Sequence, residues 1–269
     1  MVDQTSLPHG RGLPQRRFAT LRCILALMLR EMSTTYGRSP GGYVWAVLEP
    51  AGGIALLSIV FSAGFRTPPI GISFPMFYAA GMLPFLMYTD LHGKIATSLL
   101  FSKQLLAYPK VTFVDAIIAR FMINMMTQIL VGYVIFSGCL LLFETRTTLN
   151  LPVIVQAYAL AAFLGLGIGV FNAYTFTRFN VMNRVWSIIM RPMFLISGVI
   201  IPLDFIPAPY SDYLWYNPLM HVTGLMRSGF YGTYEAAYVS VPYVMGISLV
   251  CMAMGLLLLR DQHQDLLTR

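Results

Sequence analysis

Charge is what this chain has least of. Asp, Glu, Lys and Arg make up 11% of its 269 residues, against roughly 25% in an ordinary soluble domain. Hydrophobic residues supply 57%, and the mean hydropathy is +0.68. A soluble fold of this length has nowhere to hide so much apolar surface, which excludes that class. A bilayer accepts it, but each spanning segment must then satisfy its own backbone hydrogen bonds, as a helix or within a closed barrel. Barrel strands alternate apolar and polar residues over short segments. The long, nearly unbroken apolar runs here do not, so the sequence predicts an all-α integral membrane protein.

Lysine is scarcer still, at three residues. A P-loop needs G-x-x-x-x-G-K-[ST], whose backbone N–H groups cradle phosphate while the Lys reaches it. Lys94 follows Gly93, but Ile95 stands where Ser or Thr is required and Tyr88 where the first Gly is required. Lys103 and Lys110 have no glycine before them. ATP hydrolysis by this motif is excluded, and no cofactor is expected on the chain itself. Neither H-E-x-x-H nor G-x-S-x-G occurs. Cys23, Cys139 and Cys251 form no C-x-x-C pair, and His9, His92, His221 and His263 are scattered, so packing or solvent roles are expected and no metal site. A membrane enzyme acting on polyprenyl-linked sugars needs an acidic site at the membrane surface. The chain has 11 acids, with no clustered pair facing one connection. The first apolar stretch, Leu21 to Met32, is interrupted by Arg22 and Arg30, unlike a cleavable signal.

A span needs about 20 apolar residues. Six are expected: Tyr43–Phe65, Phe74–Leu100, Phe113–Phe143, Leu151–Thr177, Val185–Ile201 and Val241–Leu259. They divide the chain into a cytoplasmic N-terminus (1–42), a transmembrane domain (43–260) and a cytoplasmic tail (261–269). With both termini inside, Arg11, Arg16, Arg17, Arg22, Arg30, Arg38, Lys103, Lys110, Arg178, Arg184, Arg260 and Arg269 are cytoplasmic. The outer connections hold Arg66, Arg146 and Arg227. That asymmetry fixes the expected orientation, and anionic inner-leaflet lipid accounts for the +7 net charge without nucleic acid.

Two segments are neither spans nor simple loops. Phe18, Leu21, Leu25, Met28, Leu29 and Met32 share one helical face, with Ala19, Cys23 and Arg30 opposite, as in an amphipathic helix at the cytoplasmic interface. Pro202 to Tyr234, rich in proline and aromatics, is expected to be an outer re-entrant pair of short helices. Within the spans, Asp90 and Lys94 are spaced for an intrahelical pair. Arg120, Asn124 and Gln128 form one stripe that should face the bundle interior or water. The stripe serves either as glue, pairing Arg120 with Asp90, Asp115 or Glu49, or as lining of a hydrophilic path. Gly165, Gly167 and Gly169 imply tight helix packing.

Three stretches carry a resemblance. Leu29 to Pro50 (LREMSTTYGRSPGGYVWAVLEP) resembles the opening motif of ABC transporter type-2 permeases. Leu105 to Asp115 (LLAYPKVTFVD) is similar to their cytoplasmic connection after span two. Ser197-Gly198, Ile201-Pro202, Asn217-Pro218-Leu219, His221 and Arg227 resemble their outer re-entrant element. Within the family the chain looks most like the capsular polysaccharide export permeases of KpsM-like type. Gly41 stands where a large residue is common, and Gly224 where the family often has Glu.

The resemblance implies a homodimeric permease without catalytic residues. Two copies of an ABC ATPase subunit carry ATP and Mg, and periplasmic and outer-membrane polysaccharide export proteins continue the route from the inner membrane. Lipid-linked polysaccharide would pass between the permeases, among membrane lipid. Exporters of O-antigen, teichoic-acid precursor or hydrophobic drug remain alternatives, as does a structural scaffold. Path candidates are Tyr43, Trp45, Glu49, Tyr88, Arg120, Asn124, Gln128, Tyr133 and Trp215, because sugars stack on aromatic faces and bond to scattered polar groups. Arg30 and Arg38 are candidates for a lipid-linker phosphate, with ordinary attraction to anionic lipid as the alternative. Glu31, Lys103, Tyr108, Pro109 and Lys110 are candidates for ATPase coupling.

Overall fold

The computed structural model describes residues 19–35, 41–106 and 111–268, and among these the regular structure is entirely helical. In chain order the helices are α1 (Ala19–Thr35), α2 (Tyr43–Gly64), α3 (Phe74–Ala96), α4 (Ser98–Leu106), α5 (Phe113–Leu142), α6 (Leu151–Arg178), α7 (Asn180–Met193), α8 (Tyr210–Trp215), α9 (Pro218–Phe230) and α10 (Val241–Thr268). A 3₁₀ turn at Leu203–Phe205 precedes α8. Among the described residues, four helices are long and apolar enough to cross a membrane: Val44–Gly64, Phe113–Leu142, Leu151–Arg178 and Val241–Asp261.

The second and fifth expected spans differ from the helices that form. The run predicted over Phe74–Leu100 breaks at Thr97 into α3 and α4. Thr97 turns its hydroxyl back onto the Gly93 carbonyl at 2.9 Å, a bond that competes with helix continuation. Helix α3 falls outside the apolar set because it is the centre of the bundle. Most of its 23 residues are buried, so polar His92 and small Gly81 sit where lipid-facing residues would otherwise stand. The fifth expected span, Val185–Ile201, is helical only to Met193. Pro192 removes a backbone donor there, and the chain turns through Gly198 at φ +74°, a conformation open to glycine. Helix α7 also carries Arg184, Ser187 and Arg191 and has no fully buried residue.

Helix α6 lies between α3 and α10 and touches both backbones. A Cβ at Gly165 would lie 3.2 Å from the Tyr88 carbonyl, and one at Gly169 would lie 2.9 Å from the Ile95 Cβ on α3. On the other side, a Cβ at Gly167 would lie 2.8 Å from the Ser248 Cα on α10. Helix α10 answers with Gly255, where a Cβ would meet the Phe171 backbone nitrogen at 2.6 Å. Small residues let helix backbones approach where lipid offers no hydrophobic force to drive association. The expected role of the three glycines is therefore the one they play. His92 adds a polar tie, with Nε2 at 2.8 Å from the Asn172 amide of α6.

Helix α1 packs on α5 with the face opposite to its apolar stripe. Leu27 and Glu31 are buried, whereas Leu21, Leu25, Leu29 and Met32 are exposed. Those four recur at helical spacing and form an uncovered apolar stripe. Similar stripes cover α2 (Leu48, Leu56, Ile59, Val60) and α5 (Met122, Met126, Ile129, Leu130). So much exposed apolar surface belongs in lipid or against another chain.

Candidate functional site

The carbonyls of the last turn of a helix have no intrahelical donor. At the end of α3, Arg120 of α5 supplies one: its Nη1 donates to the Lys94 carbonyl at 2.7 Å and to the Thr97 hydroxyl at 3.0 Å. A cation is favoured at this negative end of a helix. The same guanidinium donates through Nε to Glu31 of α1 at 3.2 Å. Asn124, one turn along α5, donates to the other Glu31 oxygen at 3.2 Å and to the Arg120 carbonyl at 2.7 Å. Both partners of the ion pair are buried, and among the described residues it is the one ion pair formed. Its acid is not Asp90, Asp115 or Glu49. Asp115 is engaged in a capping box with Thr112 at the start of α5.

The ring of Phe101, on α4, completes the junction. The Arg120 guanidinium lies over it at 4.1 Å, and Arg30 of α1 lies against it at 5.1 Å. Four helices (α1, α3, α4 and α5) therefore meet at one buried charged point. Arg30 has a buried nitrogen, Nη1, with no protein partner. Lys103 stands exposed on α4. Arg38, Tyr108, Pro109, Lys110 and the side chain of Tyr43 lie outside the described residues.

The polar stripe of α5 splits above this point. Arg120 and Asn124 are closed off by Glu31, but Gln128 donates to Asp90 of α3 at 3.2 Å. Asp90 thus has a cross-helix partner in place of the intrahelical Lys94. Around it lies a cleft of about 400 Å³ between α2, α3 and α5, whose polar wall is Glu49, Thr89, Asp90 and Gln128. Trp45 and Tyr133 are exposed on the flanks of α2 and α5, while Tyr88 is buried. Tyr88 stacks beside His92 within the core, so it does not face this cleft.

At the opposite end of the bundle, α9 grips the turn that follows α7. Asn217 caps α9 by accepting from the Leu219 N–H at 3.0 Å, with Pro218 at the first helical position. Its amide donates to the Ile196 carbonyl at 2.8 Å and to the Ser197 hydroxyl at 3.2 Å. Thr223 donates to the Ser197 carbonyl at 2.9 Å. Arg227 is fully buried and donates to the carbonyls of Gly198 and Val199, with its guanidinium 4.4 Å from the centre of the Phe77 ring. His221 accepts at Nδ1 from the Ser240 N–H, which leaves Nε2–H to donate to the Trp215 carbonyl at 2.8 Å. The histidine is a strut. No group of three or more metal-ligating side chains occurs among the described residues.

Residues 22–231 match the ABC-2 type transporter family. The chain belongs to that family. The matched region runs from α1 to the end of α9 and so contains the Arg120 junction, the Asp90 cleft and the α9 clamp. Two relatives named polysialic acid transport protein KpsM, from Escherichia coli, are 30% and 32% identical to it, covering 90% of this chain and 94% of their own. The capsule polysaccharide export inner-membrane protein CtrC of Neisseria meningitidis is 25% identical over 87% of this chain and 89% of its own. The corresponding BexB of Haemophilus influenzae is 21% identical over 96% of both.

Within this ABC-2 transporter the segments 196–199 and 217–227 are one interlocked unit, held mainly by side chains bonded to backbone carbonyls. Gly224 lies against the Tyr238 hydroxyl, which occupies the room of a side chain. Sequence reasoning placed Arg227 in a motif but gave it no partner, because a backbone carbonyl leaves no trace in residue identity. Thr223 was missed for the same reason, and Asn172 because its partner, His92, lies 80 positions away on another helix.

Proposed function

We propose that this ABC-2 transporter is the permease subunit of an exporter that moves a lipid-linked capsular polysaccharide across the bacterial inner membrane, driven by a separate ATPase. The observation that carries this reading is that relatives named for capsule polysaccharide export align with nearly the full length of the chain. The absence of a P-loop at all three lysines agrees with energy arriving from another subunit.

In this reading the chain crosses six times, with α3 as the buried second crossing and α7 plus the turn after it as a broken fifth. Both termini are cytoplasmic, as the distribution of Lys and Arg favours. Helix α1 rests its Leu21, Leu25, Leu29 and Met32 stripe on the inner leaflet, and Arg30 draws in an anionic lipid or linker phosphate. The exposed flanks of α2 and α5 face a second copy or lipid. Two permeases and two ATPases form the working unit, and periplasmic and outer-membrane export proteins receive the glycan. The Asp90 cleft offers hydroxyl-binding groups along the way. The Arg120 junction carries movement of α1 and α4 into α3 and α5.

Co-expression with the ATPase of the same system is expected to yield a complex of two permeases and two ATPases, while the purified chain alone hydrolyses no ATP. A chain that remains alone under these conditions would sink the reading. Lys103→Glu is expected to weaken ATPase retention by about fivefold, the size of an exposed charge contact. Undiminished retention would remove α4 from the docking surface.

A further inference from the structure

The outer segment between α7 and α10 holds a second concave feature, apart from the Asp90 cleft, and the path candidate Trp215 lines it. A cleft of about 500 Å³ is lined by Asp204, Ser211, Asp212, Trp215, Tyr216 and Tyr238, among others. Its volume falls in the range of roughly 300–1,000 Å³ typical of small-molecule sites. No basic side chain among the described residues lines it.

Its walls are fixed from behind. Trp215 donates Nε1 to the Tyr238 carbonyl at 3.0 Å. The Trp215 ring is backed by His221 and Tyr243, each with ring centres 5.0 Å away. Tyr243 in turn donates to the Tyr216 carbonyl at 2.9 Å. Asp204 accepts from the Tyr234 hydroxyl at 2.6 Å. Burial, with Asp204 alongside, raises the pKa of that phenol, so it stays the donor. Asp212 is exposed in the first turn of α8, and Tyr216, which lines the same cleft, is 67% exposed. A rigid aromatic wall thus stands next to two carboxylates, with the hydroxyl of Ser211 between them in sequence.

We propose that this cleft is a glycan subsite on the outer face of the permease, selective for neutral or amino-bearing pyranose residues over acidic ones. A pyranose ring presents an apolar C–H face, which aromatic rings accept, and a rim of hydroxyl donors, which carboxylates accept strongly. An ammonium group on the sugar would gain further from the two carboxylates. A sialic acid brings a carboxylate of its own, and like charges brought together without a counter-charge disfavour the wrong partner. By this criterion the glycan handled here differs in charge from the polysialic acid in the name of the Escherichia coli relatives.

The proposal rests on the exporter reading, and one preparation separates the two. The permease is assembled with its ATPase in lipid nanodiscs, and ATP turnover is measured on the same sample as glycan binding. Saturation-transfer NMR is recorded with three probes at millimolar concentration: maltotetraose, a glucosamine tetramer and a sialic acid tetramer. The first two are expected to bind and the third not. Tyr216→Ala is expected to weaken the neutral tetramer about tenfold through loss of its stacking face. Asp212→Lys is expected to admit the sialic acid tetramer and to exclude the glucosamine tetramer. Both residues are exposed, and an unchanged melting temperature shows that the variants fold. Absence of binding by either non-acidic probe overturns the subsite, as does wild-type preference for the sialic acid tetramer or indifference of the neutral probe to Tyr216→Ala. If any of these appears while the ATPase remains bound and active, the subsite fails and the exporter stands. If the ATPase never assembles, the exporter reading fails instead.

Discussion

Arg120→Ala is expected to destabilise the protein by about 3–5 kcal/mol, the usual cost of removing one partner from a buried ion pair. Three groups lose a charged donor at once: the Glu31 carboxylate, the Lys94 carbonyl at the end of α3 and the Thr97 hydroxyl. Glu31→Ala should be nearly as costly, because it leaves a guanidinium buried without counter-charge and the Asn124 amide short of an acceptor. The pair interaction is isolated by the double variant Glu31→Leu, Arg120→Leu, which removes both charges together. Its loss should be clearly smaller than the sum of the two single losses. Melting curves of the purified protein in one detergent compare the four species. Strict additivity would mean that the two side chains do not act on one another. With the ATPase bound, the single variants are further expected to turn over ATP while moving little glycan, since α1 would no longer be tied to α5.

Gly167→Leu is expected to prevent stable folding altogether. Even a methyl group there would press on the Ser248 backbone of α10, and a backbone cannot move aside by changing rotamer. Overpacking within a tight core costs about 1–3 kcal/mol where side chains can shift. Backbone against backbone lacks that relief, so the effect should exceed the range. The control lies elsewhere in the membrane helices. A Cβ at Gly52 or Gly138 would meet nothing within 4 Å, and leucine at either is expected to leave expression and melting unchanged. Equal yields of monodisperse protein for Gly167→Leu and Gly138→Leu would refute the close contact.

Much of this architecture is legible from composition because lipid imposes a simple rule. Helices α2, α5, α6 and α10 announce themselves as long apolar runs; the first three end within a few residues of the expected spans, whereas α10 continues past Leu259 to Thr268. The rule weakens where protein replaces lipid as the neighbour. Helix α3 is surrounded by other helices, so hydropathy understates its place in the bundle. Helix α7 is half polar, and the segment after Pro192 takes its shape from Asn217, Thr223 and Arg227, some 20 to 30 residues further on. At the junction, the stripe of Arg120, Asn124 and Gln128 was legible as a stripe. Its counter-ion was not, because Glu31 sits 89 positions away on a helix whose polar face turns inward. An amphipathic pattern tells which residues share a face. It does not tell which face meets the protein.

Backbone contact along α6 has a mechanical consequence. Packed helices slide over each other when interdigitated side chains exchange rotamers, and at Gly165, Gly167, Gly169 and Gly255 there are no side chains to exchange. Helices α3, α6 and α10 are therefore joined like laminated plies, free to tilt as a unit but not to shear. Any aperture that widens during a working cycle has to open around this plate, through displacement of α1, α2, α7 or the α9 clamp. Spin labels on the ends of α3, α6 and α10 that lie beside α9 are expected to hold their separations with and without nucleotide on the ATPase, while a label on α2 changes its distance to all three.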